Sequence, residues 1–342
     1  MISFESDYNN GVLPEVLQRL VETNGEKTSG YGFDVYCESA KEKIRTACEL
    51  PTADVFFLMG GTQTNATVID SLLAGYQGVI TADAGHINVH ESGAVEAFGH
   101  KVLTLEGNNG KLSATAIDDY MKTFLADETH PHMVQPGMVY ITFPTELGAI
   151  YCKDELVAIY DICRKYELLL YVDGARLGYG LMSEGCDVTL PFLARHCDVF
   201  YIGGTKIGLM FGEAVVFSNI AAPKHFFTIV KRHGALLAKG RMLGLQFDTL
   251  FTDELFFKVS RHAIEMAGML KKVFVAHGIK LVYDSPSNQQ FVILTQEEKE
   301  KLAKDVAFEV WQTLPDGRLL CRFVTCWSTT AEEIQQLDRL LG

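Results

Sequence analysis

Six short apolar runs, at residues 54–58, 79–82, 102–105, 138–143, 168–172 and 199–202, are separated by stretches of which several carry helical periodicity. This alternation predicts an α/β protein on a mainly parallel sheet, because parallel strands need crossover connections and helices usually supply them. Val55-Phe56-Phe57-Leu58 and Leu168-Leu169-Leu170-Tyr171-Val172 are apolar without alternation, as strands covered on both faces are. Pro14 can open a helix ahead of the periodic stretch 15–23.

Near residue 235 the pattern changes. A long helical stretch is expected over 236–277, followed by strands around 279–282, 290–294 and 319–324, which reads as a smaller α+β domain. Thr330 and Glu333 form a capping box for a last helix. The expected organisation is an N-terminal arm at 1–13, a large domain at 14–238 and a small C-terminal domain at 239–342.

Acidic residues exceed basic ones, giving a net charge of −13, so nucleic acid and anionic membrane surfaces are repelled on average and are not expected partners. The start lacks the basic and apolar regions of a signal peptide, and no run approaches the ~18 apolar residues of a membrane span, so a cytoplasmic location is expected. None of the eight cysteines forms a CxxC pair; they read as reduced thiols, and no metal site is expected.

Chemistry concentrates after two of the strands. Lys206 lies in Tyr-Ile-Gly-Gly-Thr-Lys-Ile-Gly and Asp173 in Tyr-Val-Asp-Gly-Ala-Arg, each at the end of an apolar run, where α/β enzymes position reactive groups. A lysine that carries a cofactor as a Schiff base needs a dry, glycine-lined approach, since desolvation disfavours its ammonium form. An aspartate can keep a pyridinium nitrogen protonated. Together they point to pyridoxal phosphate. Met59-Gly60-Gly61-Thr62-Gln63-Thr64-Asn65 follows a strand and opens a helix, so Gly61 and Thr62 are candidate phosphate contacts; a tight turn with a threonine cap explains the same residues equally well.

Through Ser6-Asp7, Tyr31-Gly32-Phe33-Asp34, Gly61-Thr62, Ala84-Gly85-His86, Asp173-Gly174-Ala175-Arg176, Thr205-Lys206, residues 234–240 and Arg322-Phe323-Val324-Thr325-Cys326-Trp327, the chain resembles the L-threonine aldolase group of fold-type I pyridoxal phosphate enzymes, within the β-eliminating lyase and aminotransferase superfamily. The resemblance implies an aspartate aminotransferase-like fold and a PLP-dependent lyase that splits L-threonine or L-allo-threonine into glycine and acetaldehyde. A β-eliminating lyase or aminotransferase acting on another small amino acid is the alternative, because fold and cofactor do not decide which bond breaks.

It further implies that Lys206 binds pyridoxal 5'-phosphate covalently, that Asp173 pairs with its ring nitrogen and that His86 stacks on the ring. Ser6, Arg176 and Arg322 would bind the substrate carboxylate, for which guanidinium offers a two-pronged fit. On the residue pattern alone, Arg322 reads rather as an edge-strand arginine facing solvent. His132 aligns with a histidine that reaches the substrate side chain, and the base for the β-hydroxyl is left open among His86, His132 and an ordered water. His90 reads as a solvated histidine. Arg232 and Lys239 occupy the places of a basic pair that reaches the phosphate across a subunit boundary, which implies a homodimer or homotetramer. Phe143-Pro144-Thr145-Glu146 departs from the Glu-Asn-Thr-His pattern of the group.

Overall fold

A computed structural model describes all 342 residues. Its strands are β1 (Ile2–Ser3), β2 (Asp54–Leu58), β3 (Gln77–Ala82), β4 (Val102–Leu105), β5 (Gln135–Thr142), β6 (Leu169–Asp173), β7 (Val199–Gly203), β8 (Glu213–Phe217), β9 (Gln289–Leu294), β10 (Val306–Ala307), β11 (Glu309–Thr313) and β12 (Leu319–Val324). Seven of them form one sheet in the order β2-β8-β7-β6-β5-β3-β4. Strands β4, β3, β5, β6 and β7 run parallel, and β8 is antiparallel to both its neighbours. The expected mainly parallel sheet is present, and β2 runs in the same sense as β7.

Both faces of this sheet are covered, and the period of two along each strand divides its side chains between two cores. Val139, Ile141, Leu170, Val172, Phe200 and Ile202 enter one core. Met138, Tyr140, Tyr171, Val199 and Tyr201 enter the other. Tyrosine is thus concentrated on one face, beneath the C-terminal ends of the strands, where its hydroxyls find polar partners.

The N-terminal segment carries the short helix α1 (Pro14–Thr23), with proline in its first turn as expected. Ahead of it, β1 pairs in parallel with β10. Ile2 and Phe4 are buried in a third core with Phe274 and Phe323, so the arm packs on the smaller lobe. That lobe contains an antiparallel sheet in the order β11-β12-β9.

Several sequence expectations need correction here. Residues 236–277 are two helices, Arg241–Leu250 and Leu255–Ala276, rather than one. The break falls where Asp253 and Glu254 take positive φ angles of 49° and 58°, which a continuous right-handed helix does not allow. The strand expected at 279–282 does not form; Leu281 makes only an isolated bridge to Val292. Strands β1, β8, β10 and β11 were not anticipated. No helix is long and apolar enough to cross a membrane.

Candidate active site

The C-terminal ends of β2, β3, β5, β6 and β7 lie at one edge of the sheet, and the segments leaving them build the site. The loops after β6 and β7 meet backbone to backbone. A Cβ on Gly174 would lie 1.9 Å from the Tyr201 carbonyl oxygen, and one on Gly203 would lie 2.2 Å from that of Ala175. The Gly203 N–H donates to the Gly174 carbonyl at 2.9 Å. Only glycine permits this approach, which brings Asp173 and Lys206 to one cavity of about 280 Å³.

Lys206 sits in a single 3-10 turn, Thr205–Ile207, and its Nζ has no carboxylate partner. Burial first, then the nearby Arg176 charge, depress its proton affinity, while Asp7, Asp173 and Glu213 oppose them. Glu213, at the start of β8, is shifted the other way by burial; its carboxyl accepts the Thr205 hydroxyl at 2.8 Å and the Gly204 N–H at 3.2 Å.

Asp173 is 4% exposed. Oδ1 accepts the Tyr201 hydroxyl at 2.5 Å and the Ala175 N–H at 2.9 Å; Oδ2 accepts the Tyr140 hydroxyl at 2.5 Å and Asn65 Nδ2 at 3.0 Å. Burial alone would favour the neutral acid, but His86 and the Tyr140 and Tyr201 hydrogen bonds hold the carboxyl below its ordinary value. Asn65 also donates to Glu91 at 2.7 Å, and Glu91 takes His86 Nδ1 at 2.7 Å. This buried network fixes the His86 ring and Asp173 together.

The helix α2 (Gly61–Leu72) follows β2 and points its N-terminus at the cavity, with no side chain capping its first N–H groups. Those donors and the helix dipole suit a phosphate. The cavity walls therefore fit pyridoxal phosphate: an unpartnered amine, an ionised carboxylate and an uncapped helix start.

Lys206, His86, Arg176 and Glu146 also line an adjoining cavity of about 270 Å³, with Arg322 and Trp311 from the small lobe. Arg322 is 7% exposed, so the solvent-facing reading does not hold. Its Nη1 donates to Gln289 at 2.9 Å, its Nη2 meets Glu309, and its guanidinium lies 4.9 Å from the Trp311 ring centre. Its Nε is buried without a partner, as is Ser6 Oγ. Arg176 is held in two bonds by Asp7, at 2.7 and 3.0 Å.

Of the residues expected from sequence, Lys206, Asp173, His86, Gly61, Thr62 and Arg176 line the first cavity, and Arg322 the second. Ser6 lines neither. His132 is a correction: it is exposed and precedes β5, whose C-terminal end faces the site. An eight-residue strand puts roughly 25 Å between the two edges, so this chain does not bring His132 to its own site. Arg232 and Lys239 also lie outside their own cavity; the Arg232 side chain is 62% exposed and paired with Asp70 toward the far end of α2. His90, expected to be solvated, lines the second cavity, with its ring 5.5 Å from that of Trp311. Glu146, Glu213, Tyr140 and Trp311 were not foreseen; the only signal was Glu146's place in the departure from the Glu-Asn-Thr-His pattern.

Fold and site together define a fold-type I pyridoxal-phosphate enzyme. The chain belongs to the β-eliminating lyase family, which matches residues 4–309, and it is a pyridoxal-phosphate-dependent lyase. It is 29% identical to the low specificity L-threonine aldolase of Pseudomonas aeruginosa over 339 residues, covering 98% of this chain and 96% of that protein. A threonine aldolase structure from Leishmania major superposes with a TM-score of 0.96 at 40% identity, covering 100% of this chain and 98% of the other. A Thermus thermophilus aspartate aminotransferase variant shares the fold at TM-score 0.70 and 14% identity, covering 99% and 90%.

Proposed function

We propose that this lyase cleaves the Cα–Cβ bond of β-hydroxy-α-amino acids, taking L-threonine or L-allo-threonine to glycine and acetaldehyde. The observation that carries the reading is the junction of two cavities at Lys206, with Asp173 in the first, the Arg322 guanidinium in the second and that of Arg176 lining both. An α-amino acid offers a carboxylate to the arginines and its Cα to the cofactor side. The names of the Pseudomonas and Leishmania relatives favour aldol cleavage over elimination.

Bound pyridoxal phosphate supplies a conjugated ring that accepts the electron pair left at Cα. Lys206 Nζ would hold its aldehyde carbon, Asp173 its ring nitrogen, His86 its ring face, and Gly61 and Thr62 its phosphate. Arg322 would be the main carboxylate anchor, because its Nε is free whereas Arg176 is engaged by Asp7. Arg176 and Ser6 would support it. Holding the carboxylate fixes which bond at Cα stands perpendicular to the ring, and orientation selects the bond that breaks. Lys206, with its lowered proton affinity, is the group proposed to return a proton to Cα.

Arg232 and Lys239 would complete the phosphate site of a second copy, making the enzyme a homodimer or homotetramer with sites at the subunit interface. We place the enzyme in the cytoplasm, and we divide the chain at residue 239, the arm at 1–13 packing on the small domain. Incubating the cofactor-loaded protein with L-threonine, L-allo-threonine and L-serine tests the reaction. Acetaldehyde and glycine in equal amounts from the two threonine isomers are expected. Ammonia with a keto acid, or a new amino acid, as the main product would reject the reading.

A further inference from the structure

Glu146 leaves the C-terminal end of β5 and is one of the few side chains common to both cavities. Its Oε1 accepts the backbone N–H of His86 at 2.8 Å and its Oε2 accepts the Thr142 hydroxyl at 3.0 Å. Each oxygen keeps a second lone pair, and the residue is 8% exposed. The carboxyl is thus held from two sides at the place where the Lys206 and Arg322 compartments join.

Most other titratable groups at this junction are paired or assigned to the cofactor. His86 Nδ1 is bound to Glu91, Arg176 is paired with Asp7, Lys206 is the proposed cofactor anchor and Asp173 is saturated by four donors. On the small-lobe side, Arg322 meets Glu309, and His90 lies against Trp311. Glu213, across the first cavity, is turned to Thr205 and Gly204. Among the four residues common to both cavities, Glu146 is the one carboxylate, and it has acceptor capacity to spare.

We propose that Glu146 is the base that removes the β-hydroxyl proton of the substrate. This rests on the aldol-cleavage reading above and adds to it the identity of the base. The O–H proton passes to the Glu146 carboxylate and the O–H electron pair becomes the second bond of the aldehyde carbonyl. The Cα–Cβ bond breaks and its pair remains at Cα, to be taken up by a proton in the glycine product, so no oxidant or reductant is needed. Burial first, and then the Asp173 charge, push the Glu146 carboxyl up to about 7, against the opposing effects of His86 and the hydrogen bonds. A carboxyl poised there can take and later release a proton near neutrality.

The test is Glu146→Gln in the cofactor-loaded enzyme. Glutamine keeps an acceptor for the His86 N–H, so a positioning role survives the change while proton transfer does not. Three quantities are read: cofactor absorbance, kcat for L-threonine cleavage as a function of pH, and exchange of the glycine α-proton with deuterated water, which involves no β-hydroxyl. Expected are retained absorbance, α-proton exchange within about threefold of wild type, cleavage slower by about 100- to 10,000-fold, and loss of the wild-type acid limb near neutrality. As a second variant, Glu146→Ala should regain part of its cleavage with added formate. Cleavage within about threefold of wild type, an unchanged acid limb, or exchange falling in step with cleavage would each overturn the assignment. If the wild type itself releases no aldehyde, both this assignment and the aldol reading fall; normal wild-type cleavage with an unaffected variant removes this assignment alone.

Discussion

At the scale of single residues, the site is built from charges kept in unfavourable surroundings by specific partners. Asp173 remains ionised in a buried position because His86 lies nearby and phenol hydroxyls from two neighbouring strands donate to it. Asp173→Asn should lower kcat for cleavage by about 100- to 1,000-fold while leaving the fold intact, as steady-state kinetics and circular dichroism will show. Asp7 offers a pH test. Burial alone would raise its carboxyl, but Arg176 and Lys206 hold it below its ordinary value, so it stabilises the fold above the unfolded carboxylate range and that contribution is lost as pH falls through the folded value. Asp7→Asn should therefore destabilise the protein by about 3–5 kcal/mol at neutral pH, by urea unfolding, with the difference from wild type shrinking only below about pH 4. Lys206 and Asp173 were legible in the sequence because glycines and apolar strands flank them. Glu146 was not, because a glutamate in a loop is ordinarily solvated and it is held by His86, beyond β3, and by Thr142 of β5, contacts that sequence spacing does not reveal.

At the scale of elements, two loop glycines set how closely the β6 and β7 segments approach. Gly203→Ala places a methyl group 2.2 Å from the Ala175 carbonyl oxygen, and the backbone must shift to admit it. A loss of about 1–3 kcal/mol or more in thermal unfolding, together with poorer cofactor retention, is expected. Buried strands such as β5 and β6 are legible because continuous Val, Ile, Leu and Tyr leave few alternatives. The two-residue strands β1 and β10 carry no periodicity, and their pairing is decided by distant contacts. β8 opens with a buried glutamate, which disguises a strand covered on both faces. The helical region after 236 was read as continuous because its apolar spacing continues across residues 251–254, where only the backbone angles mark the break.

At the scale of the whole molecule, the reacting groups come from two lobes. The large sheet supplies Lys206, Asp173 and Glu146, and the small lobe supplies Arg322, Gln289 and Trp311. Packing of the N-terminal segment onto the small lobe therefore bears on activity: Phe4→Ala should destabilise the protein by about 3–5 kcal/mol, measured by urea unfolding. Arg232 and Lys239, remote from their own cavity, give a test of assembly. Arg232→Ala should lose cofactor affinity, and after mixing with Lys206→Ala the hybrid dimers should regain activity at about a quarter of all sites, whereas sites complete within one chain would regain none. The covalent role of Lys206 is tested most directly by borohydride reduction of the cofactor-loaded enzyme followed by peptide mass analysis. A pyridoxyl group on Lys206, abolished in Lys206→Ala, is the predicted result; the group on another lysine, or no covalent label, would contradict the account.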